Sequence, residues 1–255
     1  MEILFLGTSA GWPLPRLGCN CQICLSSDPR DKRLRPAILV NKTILIDAGP
    51  DIYHQFFKHK VATPKLKALI LTHAHYDHIL GFYDLTHLYN REEKEPKLII
   101  TQETLNGLRQ LHKLPLTPFK PEIVKPNEVI EVEKVKIILF PVEHSRTPCF
   151  GIKMKSDRLF VYLPDLKKLP KSEYKKCGDV HLLVLDGSSL GKHGQTRIHQ
   201  SIEEGIELAK RLKAKECYFT HLGHITGRHK ELEEFVQKQG GHNFHIAYDG
   251  LKIKI

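Results

Sequence analysis

Six short apolar runs in this chain each stop at a side chain that can bind a metal or carry a negative charge. The run 43–46 leads to Asp47, 68–71 to His73, and 137–142 to Glu143-His144. The run 159–164 leads to Asp165, 182–185 to Asp186, and 217–220 to His221. Short apolar runs bounded by turn residues read as buried strands. One aspartate or histidine at a strand end needs no explanation, but the whole set predicts a sandwich with one edge where the ends converge. The densest stretch is Thr72-His73-Ala74-His75-Tyr76-Asp77-His78. Imidazole and carboxylate are ligands for borderline divalent cations such as zinc and manganese. His73 and His75, two apart in an extended loop, can point the same way and share one ion. Asp77 and His78 fall past the bend, where they can serve a second.

A separate cluster lies earlier, in Cys19-Asn20-Cys21-Gln22-Ile23-Cys24, which holds half of the six cysteines. In a reducing compartment such spacing points to metal binding and not to disulfides. Structural zinc takes four ligands in a closed tetrahedron, so three thiolates leave the fourth to come from elsewhere. Cys149, Cys177 and Cys217 are isolated and read as buried, inert thiols.

Around these clusters the pattern predicts a hairpin turning at Asn41-Lys42 and a short helix over 52–57 capped by Asp51. It also predicts helices over 79–89 and 103–114, with strands at 97–100, 122–125, 129–131 and 134–142. Ile198-His199-Gln200-Ser201 opens a helix with Ile202, Ile206, Ala209 and Leu212 on its apolar face. A last helix is expected over 230–238.

The 255 residues contain no Pro/Gly/Ser linker, so one domain over 1–255 is expected. At 41% hydrophobic and 27% charged residues, the chain can bury a sizeable core, which sets aside disorder. Met1-Glu2-Ile3-Leu4-Phe5-Leu6-Gly7 lacks a basic region and a long apolar stretch, and it reads as a first strand, not a signal peptide. No apolar run approaches the ~20 residues that span a bilayer. A cytoplasmic location and no membrane partner are therefore expected. Lys plus Arg exceed Asp plus Glu by 39 to 29, a formal charge of +10 that favours anionic substrates. The charge is spread, with no dense basic block, so nucleic acid is permitted as a partner and not favoured.

Taken together, these residues resemble the metallo-β-lactamase superfamily. His73-Ala74-His75-Tyr76-Asp77-His78 is similar to its H-x-H-x-D-H signature, and Asp47 to the aspartate that supports the metal loop. His144, Asp165 and His221 follow in the family's order. The resemblance spans the chain and implies an α/β fold, a four-layer αββα sandwich with a binuclear site at the sheet edges. It implies His73, His75 and His144 on one ion, Asp77, His78 and His221 on the other, and Asp165 bridging both. The C-x-C-x-x-C motif, a histidine at the start of a late helix, the H-x-x-H after the next strand and Ala247-Tyr248-Asp249-Gly250 narrow the match. They resemble the cyclic-phosphate phosphodiesterases of carbon–phosphorus lyase pathways. That group implies a structural zinc on Cys19, Cys21, Cys24 and His224. Quinone-cofactor biosynthesis proteins of the superfamily also carry the cysteine motif.

The expected activity is hydrolysis of small or cyclic phosphodiesters, such as ribose 1,2-cyclic phosphate or 2′,3′-cyclic nucleotides. Two divalent cations, manganese or zinc with iron also acceptable, would activate the attacking water. Asp77 and His199 are the catalytic candidates, His199 as proton donor to the leaving oxygen. His193 could contact substrate. Alternatives are a tRNA 3′-processing or other RNA nuclease, an oxygenase of the quinone-biosynthesis type, and a thiolesterase or lactonase. No Gly/Pro-rich basic insertion that would grip tRNA is present, and no gap among the ligands suggests a non-catalytic binder. Assembly as a homodimer is compatible with the sequence.

Overall fold

The protein is described by a computed structural model covering residues 1–88, 95–113, 115–191 and 196–255. β1 (Glu2–Gly7), β2 (Ala37–Val40), β3 (Ile44–Ile46), β4 (Ala68–Ile70), β5 (Lys97–Ile100) and β6 (Lys120–Ile123) lie side by side in chain order. A second sheet also follows chain order, from β7 (Val129–Val132) through β8 (Val135–Val142), β9 (Cys149–Lys155), β10 (Leu159–Leu163), β11 (Leu182–Asp186), β12 (Glu216–Thr220) and β13 (Phe244–Ile246). β14 (Lys252–Lys254) returns to flank β1 in the first sheet.

Successive side chains of a strand face opposite sides, and that alternation builds three apolar layers. Ile3 and Phe5 of β1, Ile44 and Ile46 of β3 and Ile70 of β4 meet Leu139, Ile152, Phe160 and Val184 of the other sheet. Their neighbours Leu4, Leu6, Leu45 and Leu69 turn outward under α1 (Ile52–His59), α2 (Tyr76–Ile79), α3 (Phe82–Leu88) and α4 (Gln102–Leu111). On the second sheet Val161, Leu163, Leu183, Leu185 and Phe219 are covered by α6 (Ile202–Arg211) and α7 (His229–Gly240), with α5 (Lys171–Tyr174) beside them. The result is the expected helix–sheet–sheet–helix sandwich. Within each sheet one half runs parallel, from β3 at the middle out to β6 at the edge in one and from β10 out to β13 in the other. Ligand-bearing loops gather at the carboxyl ends of such strands.

The expected hairpin forms, with Asn41 and Lys42 both at positive φ between β2 and β3. Asp51 does not cap α1: its backbone is helical and its carboxylate instead accepts the Arg35 amide and guanidinium, each at 2.9 Å. The helix expected over 79–89 starts later, as α3 at Phe82, because Ile79 ends α2 and at Gly81 between them a Cβ would stand 2.0 Å from the Gly49 carbonyl oxygen; its expected end at Tyr89 lies outside the described residues. Leu114, the expected end of the next helix, also lies outside them. Strand β9 escapes the sequence pattern because Gly151 and Lys153 interrupt its apolar run, yet a Cβ on Gly151 would meet Leu163 and Phe140 side chains at 2.4 and 2.7 Å. α6 begins later than expected. Ser201 is its cap, exchanging hydrogen bonds with Glu204 in a capping box, so His199 sits in the loop before the helix.

Candidate metal centre and active site

The His73–His78 stretch leaves β4 and is tied down by one carboxylate. Asp47, fully buried at the end of β3 with φ +62, accepts the Thr72 N–H and O–H at 2.9 Å and the His78 Nδ1–H at 2.8 Å. A carboxylate only accepts, so this contact places the His78 proton on Nδ1 and turns Nε2 inward. Thr72 gives its hydroxyl proton to Asp47 and so accepts from His73 Nδ1 at 3.0 Å. His144 Nδ1 donates to the Ile198 carbonyl at 2.7 Å. His75 is turned the other way: its Nε2 meets the Ser145 hydroxyl at 3.2 Å and its Nδ1 faces in. Outer nitrogens bonded to carboxylate, hydroxyl or carbonyl and inner nitrogens left free are the pattern of metal-binding histidines.

The inner nitrogens then face one another. His73 Nε2 and His144 Nε2 lie 3.0 and 3.3 Å from His75 Nδ1. Zinc–nitrogen bonds of about 2.05 Å in a tetrahedron separate two ligand nitrogens by about 3.4 Å. Ligand atoms of His73, His75 and His144 form one group within 4.8 Å, and those of Asp77, His78 and His221 another. Asp165 stands between them, 3.6 Å from His144 Nε2, 2.9 Å from His78 Nε2 and 3.4 Å from His221 Nε2. His78 Nε2 and one Asp165 oxygen are buried without a hydrogen bond of proper geometry. Such orphaned atoms and opposed lone pairs fit divalent cations, whose presence would satisfy every one of them. Without cations, burial holds His73, His75 and His144 below the ordinary imidazole range. Burial also opposes a proton on His78, but the carboxylates of Asp165, Asp77 and Asp47 raise it well above that range. Cation binding would displace that proton.

Beyond the ligands, Asp186 at the end of β11 organises the far wall. Its oxygens accept the Leu166 and Ser188 amides at 3.0 and 2.9 Å, the Ser188 hydroxyl at 2.5 Å and His199 Nδ1 at 2.6 Å. Ser188, having given its proton to Asp186, accepts from His221 Nδ1 at 2.7 Å, which again turns Nε2 of that ring inward. His221 itself sits at φ +57, a strained backbone of the kind found at functional sites. Without cations, burial lowers the His199 imidazole, yet the Asp186 carboxylate raises it to about 9. A cavity of about 350 Å³ joins His75, Asp77, Asp165, His199 and His221.

The structure thus brings His73, His75, Asp77, His78, His144, Asp165, His199 and His221 to one place. Sequence reasoning passed over Ser188, Ser145 and Thr72, whose only signal is a hydroxyl beside a ligand or in the short Gly187-Ser188-Ser189 run, and it left Asp186 as a bare strand end. His193 lies outside the described residues. The thiols of Cys19, Cys21 and Cys24 lie within 4.8 Å of one another, close to the roughly 3.8 Å that zinc–sulfur bonds of about 2.3 Å impose. A backbone hydrogen bond from Cys24 lowers the Cys21 thiol to about 7, favouring the thiolate. His224 is not in that group; its Nδ1 accepts from the Arg16 guanidinium at 3.4 Å. Cys149, Cys177 and Cys217 are buried, and burial pushes their thiols up.

A twin cage of histidines and aspartates on the edge of an αββα sandwich defines a known class. The chain belongs to the beta-lactamase superfamily domain family, whose model matches residues 42–222. Its structure is similar to that of a diphosphatase from the PhnP family, with a TM-score of 0.86, 30% identity, and 99% of this chain and 96% of that one covered. Zinc-bound PqqB from Methylobacterium extorquens shares the fold at a TM-score of 0.86 and 19% identity, with both chains fully covered. Among curated proteins, an octanoyltransferase of Porphyromonas gingivalis is 29% identical over all of this chain and 52% of its own length. A ribonuclease Z of Bradyrhizobium diazoefficiens is 31% identical over 64% of this chain and 52% of its own. The chain spans about half the length of these two curated relatives. No helix among the described residues is long and apolar enough to cross a membrane.

Proposed function

We propose that this chain is a metal-dependent hydrolase of small or cyclic phosphodiesters. The observation that carries the reading is one cavity lined both by ligands of the twin cage and by the imidazole of His199, whose Nδ1 lies 2.6 Å from the Asp186 carboxylate. Similarity to a diphosphatase and to ribonuclease Z supports chemistry at a phosphoryl centre. His73, His75 and His144 would hold one divalent cation, zinc or manganese, and Asp77, His78 and His221 a second, with Asp165 between them. Bound there, the ions supply Lewis acidity toward water and toward the charge that develops on the phosphoryl oxygens.

The remaining work falls to the chain's own side chains. His199 presents Nε2 to the cavity while Asp186 holds Nδ1, so its proton is available to the oxygen that leaves phosphorus. As that P–O bond breaks, the leaving oxygen takes the proton and His199 becomes neutral, its charge no longer needed. Asp186 keeps the ring oriented through the transfer, and Ser188 ties the same carboxylate to His221. At the rim of the same cavity, Cys19, Cys21 and Cys24 would hold a structural zinc, with His224 as the fourth ligand once Arg16 releases its ring.

Chelator-stripped protein reloaded with zinc or manganese and offered a 2′,3′-cyclic nucleotide tests the reading. Turnover should vanish on stripping, return on loading, and fail to return in His78→Ala. Turnover that survives both treatments would refute it.

A further inference from the structure

Trp12, the only tryptophan in the chain, lies 66% exposed on a wall shared by two cavities. One cavity holds His199 and His221, the other Tyr76 and Thr147, and both contain His75 and Asp77. Tyr76 and Ile225 are also large, apolar and more than 60% exposed, each lining one of the two. Single exposed hydrophobics are ordinary, but several around one opening mark a binding surface. The Trp12 backbone is also held in place. Its carbonyl accepts the Ser9 hydroxyl at 2.5 Å, Ala10 donates to the Leu222 carbonyl at 3.1 Å, and Leu14 pairs with Arg33 in both directions. An exposed indole that lines both cavities on a backbone already held in place leaves little main-chain ordering to lose on binding. Arg16, its guanidinium carbon 5.6 Å from the Trp12 ring centroid, lines the first cavity and gives it a fixed positive charge.

We infer that the substrate carries an aromatic heterocycle, and that Trp12 is the platform on which this base stacks while the phosphodiester lies over the ligand cage. The inference rests on the diester reading for the reacting group and adds the class of molecule: a nucleoside-bearing ester, in preference to a bare sugar phosphate. Every nucleobase has a face that stacks on an aromatic ring, so the platform selects for a base without reading which one. Arg16 assists by charge, next to the anionic part of such a ligand.

Two measurements separate this inference from the reading beneath it. The first compares adenosine 2′,3′-cyclic phosphate with the same cyclic phosphate of methyl riboside, identical at phosphorus and lacking the base. Metal-loaded protein should favour the nucleotide, and Trp12→Ala should shrink that preference in kcat/KM by about 5- to 150-fold. Trp12→Phe should keep most of it. The second uses the sole tryptophan as its own reporter: adenosine monophosphate should quench its fluorescence saturably, and methyl riboside phosphate should not. Equal turnover of both esters, or a Trp12→Ala loss that is the same for each, overturns the platform and leaves the diester reading standing. Saturable quenching by the nucleotide without turnover of either ester upholds the platform and overturns the diester reading.

Discussion

Replacing Asp47 with asparagine isolates the contact on which the orientation of His78 depends. Asparagine tolerates the left-handed backbone at φ +62 as well as aspartate does, so the exchange adds no strain. Its carbonyl oxygen can still accept from Thr72, but its amide then points two protons at His78 Nδ1, where the native distance is 2.8 Å. Two donors cannot share that contact. His78 must move its proton to Nε2, the atom that faces Asp165 and the proposed ion, or leave a buried donor without a partner. Either choice costs about 1–3 kcal/mol, which is about 5- to 150-fold in the dissociation constant of the ion held by His78. Calorimetric zinc titration of stripped protein reads this directly. The site of Asp77, His78 and His221 should weaken by that factor while the site of His73, His75 and His144 changes little. Unchanged affinity at the His78 site would refute the orientation argument. Equal weakening at both sites would mean that Asp47 holds the whole loop and not one ring.

Removal of the His199 ring by His199→Ala should lower turnover by about 10²- to 10⁴-fold with metal content unchanged, measured as kcat beside elemental analysis; unchanged kcat would remove it from the mechanism. Cys21→Ala should lose about one zinc per chain and lower the unfolding temperature before chemistry suffers, whereas equal zinc content would discard the structural site. His229 is buried against Arg33, whose guanidinium donates to His229 Nδ1 at 3.1 Å; burial, then that positive charge, lowers its imidazole to about 4. The unfolded chain protonates this ring near 6.5 and the folded one does not until about 4. Its contribution to stability is therefore complete above pH 6.5 and is lost as pH falls through that window, by about 2 kcal/mol at pH 5. Denaturant titrations at pH 7.5 and 5 should show a loss of stability that is smaller in His229→Asn than in the native chain by about 2 kcal/mol, the buried histidines of the cage contributing equally to both; an equal loss in both would contradict the assignment.

What the sequence revealed depended on how local each determinant was. Strand ends at Asp47, His73, His144, Asp165, Asp186 and His221 were legible because apolar runs and polar stops are both local, and their convergence follows from parallel strands. The hydroxyls of Thr72, Ser145 and Ser188 were not, because a serine acquires a role only when two distant loops meet on it. Asp51 misled for the same reason: a residue with ideal capping chemistry was recruited by Arg35, a partner sixteen residues away that no local pattern reveals. Gly81 delayed the start of one predicted helix to Phe82 because its neighbour in space is Gly49, again outside any window. Residue types therefore announced the ligands, whereas the hydrogen bonds that orient them needed the fold.

The central claim is that this cage acts on phosphodiesters, and a substrate panel tests it most directly. Metal-loaded protein would be offered a chromogenic phosphodiester, a ribose 1,2-cyclic phosphate, a 2′,3′-cyclic nucleotide, a precursor tRNA, a thioester and a lactone, each with and without chelator. The account expects chelator-sensitive cleavage of the small or cyclic diesters above all others. Silence on every phosphodiester, with cleavage of the thioester or lactone instead, would contradict it and assign the same ligands to acyl chemistry.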